Sequence, residues 1–516
     1  MAERIGPDQT SSDHDHMLAY WCMVETILDG ADAMKKAGQD YLPQFPNETD
    51  DDYEYRLSNA KFTNIYADIV SNLAAKPFAE EVALDEGAGP RFKTLAEDID
   101  GRGNNLHVFA SHTFFDGLNN AVDWIMVEFT KARPNEDGSP LSLKQEQLQG
   151  LRPYWVHIPA KRVLAVYTDV VAGQELFVHA RIREDVTKRA GFEEVCIERI
   201  RVLNREPVVD AFDRIVGYAP ATFEVYERET TDGKSGSDWV IVDSGPITIG
   251  VIPLAPFITG RRKGGSWRFV PPLRDAAFLQ VEHYQQETAL KSIKELTAFP
   301  MLAGNGVTPE MEGGRPKAVP VGPRSVLYAP ATPTGNSAVV GEWIFIEPSA
   351  ESLKFLAEDV KNTEQQLREL GRQPLTAQTG NLTVVTTAFA AQKGNSAIQA
   401  WALNLKDALE QAFVLTAMWL KEAAAPTVRV FTDFGIDMDD DKGIDSLNAA
   451  RKARDLSRLT YWEEMQRRNV LSADFDPDEE KKRLEEEAAA EPPPPPVLAP
   501  LDPNAPPAND PQQAAA

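Results

Sequence analysis

Several stretches offer side chains able to do chemistry, and none completes a site on its own pattern. Residues 437–443, DMDDDKG, open like a calcium-binding loop, in which spaced carboxylates and a sharp glycine turn surround the ion. Lys442 occupies the place that needs glycine, and Asn448 stands where the closing Glu belongs, so a solvated acidic turn is expected. His14 and His16 flank Asp15, a donor set that suits a divalent metal. They lie in a polar run, MAERIGPDQTSSDHDH, whose composition fits an unstructured terminus better. The acidic run Glu48–Asp52 has no His or Gly turn nearby, and reads as negative charge at a helix N-terminus. His283, beside Tyr284 with Glu282 and Glu287 near, has no local Ser or Cys to activate and reads as a packing or interface histidine.

The familiar catalytic spacings are missing. There is no G-x-x-x-x-G-K-[ST] phosphate cradle, no H-E-x-x-H and no G-x-S-x-G, and the basic run Gly260–Gly265 has the wrong spacing. The triplets NET at 47 and NLT at 381 match glycosylation acceptors, with nothing placing the chain in a secretory compartment. The expectation is a chain with no catalytic residues, no cofactor and no metal, serving a structural role. A balance of 53 Lys+Arg against 79 Asp+Glu, net −26, argues against tight duplex binding, because phosphate contacts need cations. Cys22 and Cys196 are the only cysteines, which fits a reducing compartment. The polar first residues lack the apolar core of a signal peptide, and the most apolar stretch, 412–420, is too short to span a bilayer. The protein is therefore expected to be made in the cytosol and not inserted in a membrane.

The elements that must position any site are clearer. Pro271–Phe299 starts with Pro-Pro, carries Asp275 early and Lys291 and Lys294 late, and is stopped by Pro300, all signs of one long helix. Its apolar positions, Leu273 through Leu296, recur at three and four spacing, and half its surface is polar. Helices are expected from Met17 to Lys36, through Tyr53, Leu57, Phe62, Ile65, Ile69 and Leu73, from Glu351 to Leu370, and over 384–421. Residues 153–258 alternate in short runs split by turn residues, which predicts antiparallel meanders. Residues 300–350 are rich in Pro and Gly with short strands, a small β insertion between two helices. The last 26 residues are Pro- and Ala-rich and cannot bury a core.

From 261 to 307 the run RRKGGSWRFVPPLRDAAFLQVEHYQQETALKSIKELTAFPMLAGNGV resembles the portal proteins of tailed bacteriophages and prophages. Pro272, Leu273, Asp275, His283, Tyr284, Phe299, Pro300, Leu302 and Gly306 fit that pattern. It continues through VGPRSVLYAP, the helix ESLKFLAEDVKNTEQQLRELG and the long helix through Trp401 to Leu420, and an early Leu-Pro loop, acidic cluster and Arg-Leu pair agree. The order of elements, more than any one motif, carries the likeness. It implies an α+β portal-type subunit: an unstructured 1–16, a helical and β wing over 17–270, stem helices at 271–299 and 351–371, a clip at 300–350, a tunnel loop at 372–383, a return to the wing at 384–430, a helical crown at 431–490 and an unstructured tail at 491–516. It further implies a homo-oligomeric ring, normally of twelve, at one vertex of the virion capsid. Such a ring conducts double-stranded DNA in packaging and ejection and meets the major capsid protein, the large terminase and a head-completion or adaptor protein. Within the loop, Gln373, Thr376, Gln378, Thr379 and Asn381 would face DNA, touching phosphates weakly where Lys or Arg would grip; a plain connector is the other reading. Two further classes stay open: a DNA-processing enzyme subunit of the packaging apparatus, and a scaffold or adaptor protein that works without DNA.

Overall fold

A computed structural model describes residues 6–131, 145, 148–231, 234–235, 238–298, 301–305, 311–313, 315–316, 332–334, 337–339, 342–346, 350–370, 384–432, 447–453, 455–467, 471 and 475–490. The loop 372–383 with its five polar candidates, the acidic turn 437–443 and the tail 491–516 lie outside the described residues. The fold class is α+β, as expected. The chain divides into two units, Met1–Gly435 and Ile436–Ala516.

Helix α1 (Ser12–Asp29) starts inside the stretch expected to be unstructured. Ser11 accepts a hydrogen bond from the His14 amide, which caps the helix. The Asp13 carboxylate accepts from Arg268 Nε at 2.7 Å and from the Trp267 amide at 2.8 Å. His14 is buried, with Nε2 3.1 Å from the Lys161 carbonyl and its ring edge-on to Trp21. Polarity suggested solvent, but Asp13 and His14 are met by partners far along the chain. The single helix expected to Lys36 is broken at Gly30, whose φ of +90° only glycine adopts easily, and α2 (Ala31–Ala37) follows. The next expected helix also divides: α3 (Asp50–Ser58), capped by Thr49, and α4 (Ile65–Ala75) are joined by a non-helical segment at 59–64.

Strand β1 (Ala83–Leu84), α5 (Pro90–Glu97) and α6 (Leu106–Asn120) lead to β2 (Val122–Phe129) and β3 (Pro153–Ile158). Ala121, at φ +74°, turns the chain directly from α6 into β2. Then β4 (Val163–Val171), β5 (Gln174–Arg183), β6 (Val186–Ala190), β7 (Glu193–Asn204), β8 (Pro207–Val209), β9 (Ile215–Tyr218), β10 (Thr222–Thr231), β11 (Lys234–Ser235) and β12 (Val240–Pro246) follow. Their seven-stranded antiparallel sheet runs β4-β5-β7-β10, with β6 also on β7 and β11 and β12 on β10, while β8 and β9 form a separate hairpin. This is the expected meander. Strand β13 (Leu254–Ile258) leaves it to complete the order β13-β2-β3, so the most buried strand, β2, is central.

Because side chains alternate along a strand, this small sheet has two different faces. One carries Asp123, Ile125, Val127, Trp155 and His157 under α6. There Phe109 of α6 meets Trp155 edge-on, and Phe257 stacks on Phe114. Helix α6 comes this close at Gly117, where a Cβ would sit 2.3 Å from the Phe257 ring. The other face brings Trp124 against Phe177 of β5 and Trp267.

The hairpin β14 (Arg261–Arg262) with β15 (Phe269–Val270) precedes α7 (Arg274–Ala298). The insertion then holds β16 (Met301–Asn305), β17 (Met311–Glu312), β18 (Arg315–Pro316), β19 (Thr332–Thr334), β20 (Ser337–Val339) and β21 (Glu342–Ile346). It is followed by α8 (Ala350–Leu370), α9 (Val384–Leu420) and β22 (Val428–Arg429), which pairs with β1. On α9, Phe413 packs on Trp155 with ring centroids 4.7 Å apart, and Thr416 accepts from the Trp155 indole N–H. The smaller unit contains helix at 447–452, α10 (Arg458–Arg467) and α11 (Pro477–Ala490). Tyr461 donates to Asn448, and Trp462 meets Phe475 edge-on within it.

Candidate assembly site

Helix α7 carries a strip of polar residues on one face: Gln280, Glu287 and Thr288 two turns on, and Lys291 one turn further. A helix with half its surface polar usually packs beside others like it. Here the strip faces the non-helical segment 59–64 and the opening of α4 in the same chain. Gln280 Oε1 accepts from the Ile65 and Tyr66 amides at 3.0 and 2.9 Å, and its Nε2 donates to the Thr63 carbonyl. Those amides open α4 and have no helical acceptor of their own. Asn64 accepts from the next, Ala67. Glu287 takes the Thr63 amide and hydroxyl, each at 3.0 Å, and Lys61 Nζ at 2.8 Å. Lys291 donates to the Asn59 carbonyl at 2.7 Å. A break between two helices is thus stitched to a third.

His283 lies inside this arrangement. It is buried, its Nδ1 is 3.9 Å from Glu287, and neither ring nitrogen has a hydrogen-bond partner. Burial pushes its pKa down, against the pull of Glu287 and Glu364. That is a neutral packing histidine, in keeping with its expected role. Tyr284 is buried beside it, edge-on to Phe62.

Helix α8 lies alongside α7, with Gln286 reaching Asp359. Its covered positions, Thr363 and Leu367, follow one strip, and Arg368 reaches Asp68 of α4 at 3.2 Å. Phe355, off this strip, is 69% exposed, and Leu370, which continues the strip at the end of α8, is 45% exposed. Between the two helices, β16 pairs with β21 from Met301↔Ile346 to Asn305↔Glu342, so the insertion leaves and returns through one two-stranded stalk.

A family model matches this helix–insertion–helix segment together with α9. Residues 272–420, from the start of α7 to the end of α9, match the model of a family described as a domain of unknown function, DUF4055. No curated protein matches. Among solved structures, the chain is similar to one in the neck of an empty GTA particle computed with C6 symmetry, at 12% identity and a TM-score of 0.39, over 76% of this chain and 86% of that one. A chain from the virion of a native gene transfer agent particle gives 12% identity and 0.33, over 81% and 88%. One from the neck of the native particle computed with C12 symmetry gives 11% and 0.36, over 76% and 87%. At these scores the likeness carries no argument about role.

The other sequence candidates separate. The metal reading of the acidic run at 48–52 has no support, because Arg56 takes both oxygens of Glu48, and Asp50, Asp51 and Asp52 fill the first turn of α3. His14 Nε2 meets the Lys161 carbonyl, and His14, Asp15 and His16 are not among the converging ligand groups of the described residues. No helix among the described residues is long and apolar enough to cross a membrane. The group the sequence did not flag is Asp116, Asp123 and His157, whose ligand atoms converge. One signal was available: Asp123 is the lone charge inside the apolar run AVDWIMV.

Proposed function

We propose that this chain is a ring-forming portal subunit of a tailed phage or prophage, without enzymatic activity of its own. The observation that carries the reading is the α7–insertion–α8 unit, in which α8 leaves Phe355 and Leu370 uncovered. The sequence resemblance centres on the same segment. In a ring such a helix pair meets the next copy, and the exposed apolar side chains are covered there. That contact is head-to-tail: different patches meet, and the ring closes when the rotation between copies divides a full turn. Twelve copies would surround DNA. A formal charge of −26 on each makes a surface that repels phosphate, which suits a channel through which DNA must slide rather than stick. The insertion at 300–350 is the part offered to the terminase and later to head-completion proteins, the polar loop at 372–383 meets the passing duplex, and the wing at 17–270 and 384–430 is the part held by the capsid.

The double variant Phe355→Asp, Leu370→Asp tests the assembly surface. Both side chains are exposed, so the melting temperature of the isolated chain should change little, within roughly 0.5 kcal/mol of wild-type stability per site. Light scattering on a size-exclusion column should show the oligomer falling apart. An intact oligomer would remove this face from the interface.

A further inference from the structure

The run Val122–Val127 in β2 is buried throughout, Asp123 included. Its carboxylate gives Oδ2 to His157 Nε2, 2.7 Å away on β3, while Oδ1 is buried with no hydrogen-bond partner. Of the groups that favour its charge, the adjoining Trp124 amide contributes least. His157 stands opposite Ile125 in the ladder, so it and Asp123 are diagonal neighbours on the face that α6 covers. The left-handed turn at Ala121 folds α6 back over that face and brings Asp116 Oδ2 to 3.7 Å from His157 Nε2. One ligand atom from each residue lies within 4.8 Å of the others. The side chains are 0%, 19% and 39% exposed for Asp123, His157 and Asp116, so the cluster has a closed floor and a wet mouth.

Left to itself this is a costly arrangement. Two carboxylates share one imidazole, and burial pushes Asp123 up to about 6 and raises Asp116 as well. Buried charges are normally paired or bound to metal.

We propose that Asp116, Asp123 and His157 hold a divalent transition-metal cation of the zinc class, which pins α6 to the β2–β3 pair. One imidazole with two carboxylates is the mixed N/O set that zinc accepts, with water completing a tetrahedron. Calcium and magnesium prefer shells of oxygen alone. Ligand bonds of about 2.0–2.2 Å put neighbouring ligand atoms roughly 3.3 Å apart in a tetrahedron. The 3.7 Å pair already suits that, and the 2.7 Å pair must open as the ion replaces the shared proton, which leaves to solvent. His112, four residues before Asp116 and so on the same face of α6, is exposed.

The test uses the full chain, stripped with chelator and titrated with Zn2+ by calorimetry, with elemental analysis after desalting and Co2+ absorbance as a probe of geometry. One zinc per chain and a tetrahedral Co2+ band are expected. Asp116→Asn, at the exposed edge, should leave the melting temperature of the metal-free chain unchanged and weaken zinc binding at least about tenfold, the least that losing even a supporting residue costs. Added zinc should raise the wild-type melting temperature and not the variant's. His157→Gln should repeat the loss. Zinc binding that is absent in the wild type, or equal in wild type and both variants, would leave only an aspartate–histidine ion pair and overturn the proposal.

Discussion

Arg56→Met is expected to destabilise the larger unit by about 3 kcal/mol, the lower end of what breaking a covered ion pair costs. Arg56 Nε and Nη2 donate to the two Glu48 oxygens at 2.7 and 2.8 Å, and Nη2 also donates to the Pro43 carbonyl. The guanidinium lies 4.2 Å from the Phe45 ring centroid. The two side chains are only 7% and 10% exposed, under a thin cover rather than deep in the core. This one residue therefore fastens the Leu-Pro loop to α3. Methionine keeps the packing and strands the carboxylate. The hydrogen bonds from Arg56 hold the Glu48 pKa below its ordinary 4.5. A lowered folded pKa contributes stability that is complete above the ordinary value and is lost as pH falls through the folded one. Denaturant titrations of both proteins should accordingly show the gap widest at neutral pH and shrinking below about pH 4. A gap that stays constant into acid would show that packing, not the ion pair, makes the difference.

Gln280→Leu should cost a similar amount, about 3 kcal/mol, by leaving polar groups buried without partners at roughly 1–3 kcal/mol each. The Tyr66 amide and the Thr63 carbonyl each lose the Gln280 bond, and the Ile65 amide keeps only a cramped contact to the Thr63 carbonyl at 3.1 Å. Gln280→Glu discriminates. It still offers an acceptor to the opening amides of α4, and a negative charge is favoured at a helix N-terminus. It should recover a large part of the loss in the same denaturant titration. Equal destabilisation by Leu and Glu would mean that side-chain shape, not the cap, matters there.

These two residues show where the sequence was legible and where it was not. Pro271-Pro272 and Pro300 bracket α7 because proline chemistry acts locally. Alternation with turn residues marked the antiparallel sheet for the same reason; α9 was expected as one long helix with an irregularity at Gly394-Asn395, and it runs helical through both residues. What failed was the inference from polarity to solvent. Gln280 and Glu287 belong to the polar half of α7, and their partners lie more than two hundred positions earlier. Asp13 and His14 looked like a loose terminus for the same cause. Breaks at Gly30 and at 59–64 were hidden because the apolar period runs on across them. The cluster of Asp116, Asp123 and His157 has no spacing to recognise, since a helix and two strands bring it together.

The central claim is that α7 and α8, already satisfied on their inner faces, meet another copy on the outer face of α8. The direct measurement is the native mass of the purified full-length chain by light scattering, across salt conditions, with electron micrographs of the same sample. A mass near a whole multiple of 57.1 kDa is expected, with twelve copies, and rings with an axial hole. A monomer of 57.1 kDa that persists at micromolar concentration in every salt condition would contradict it.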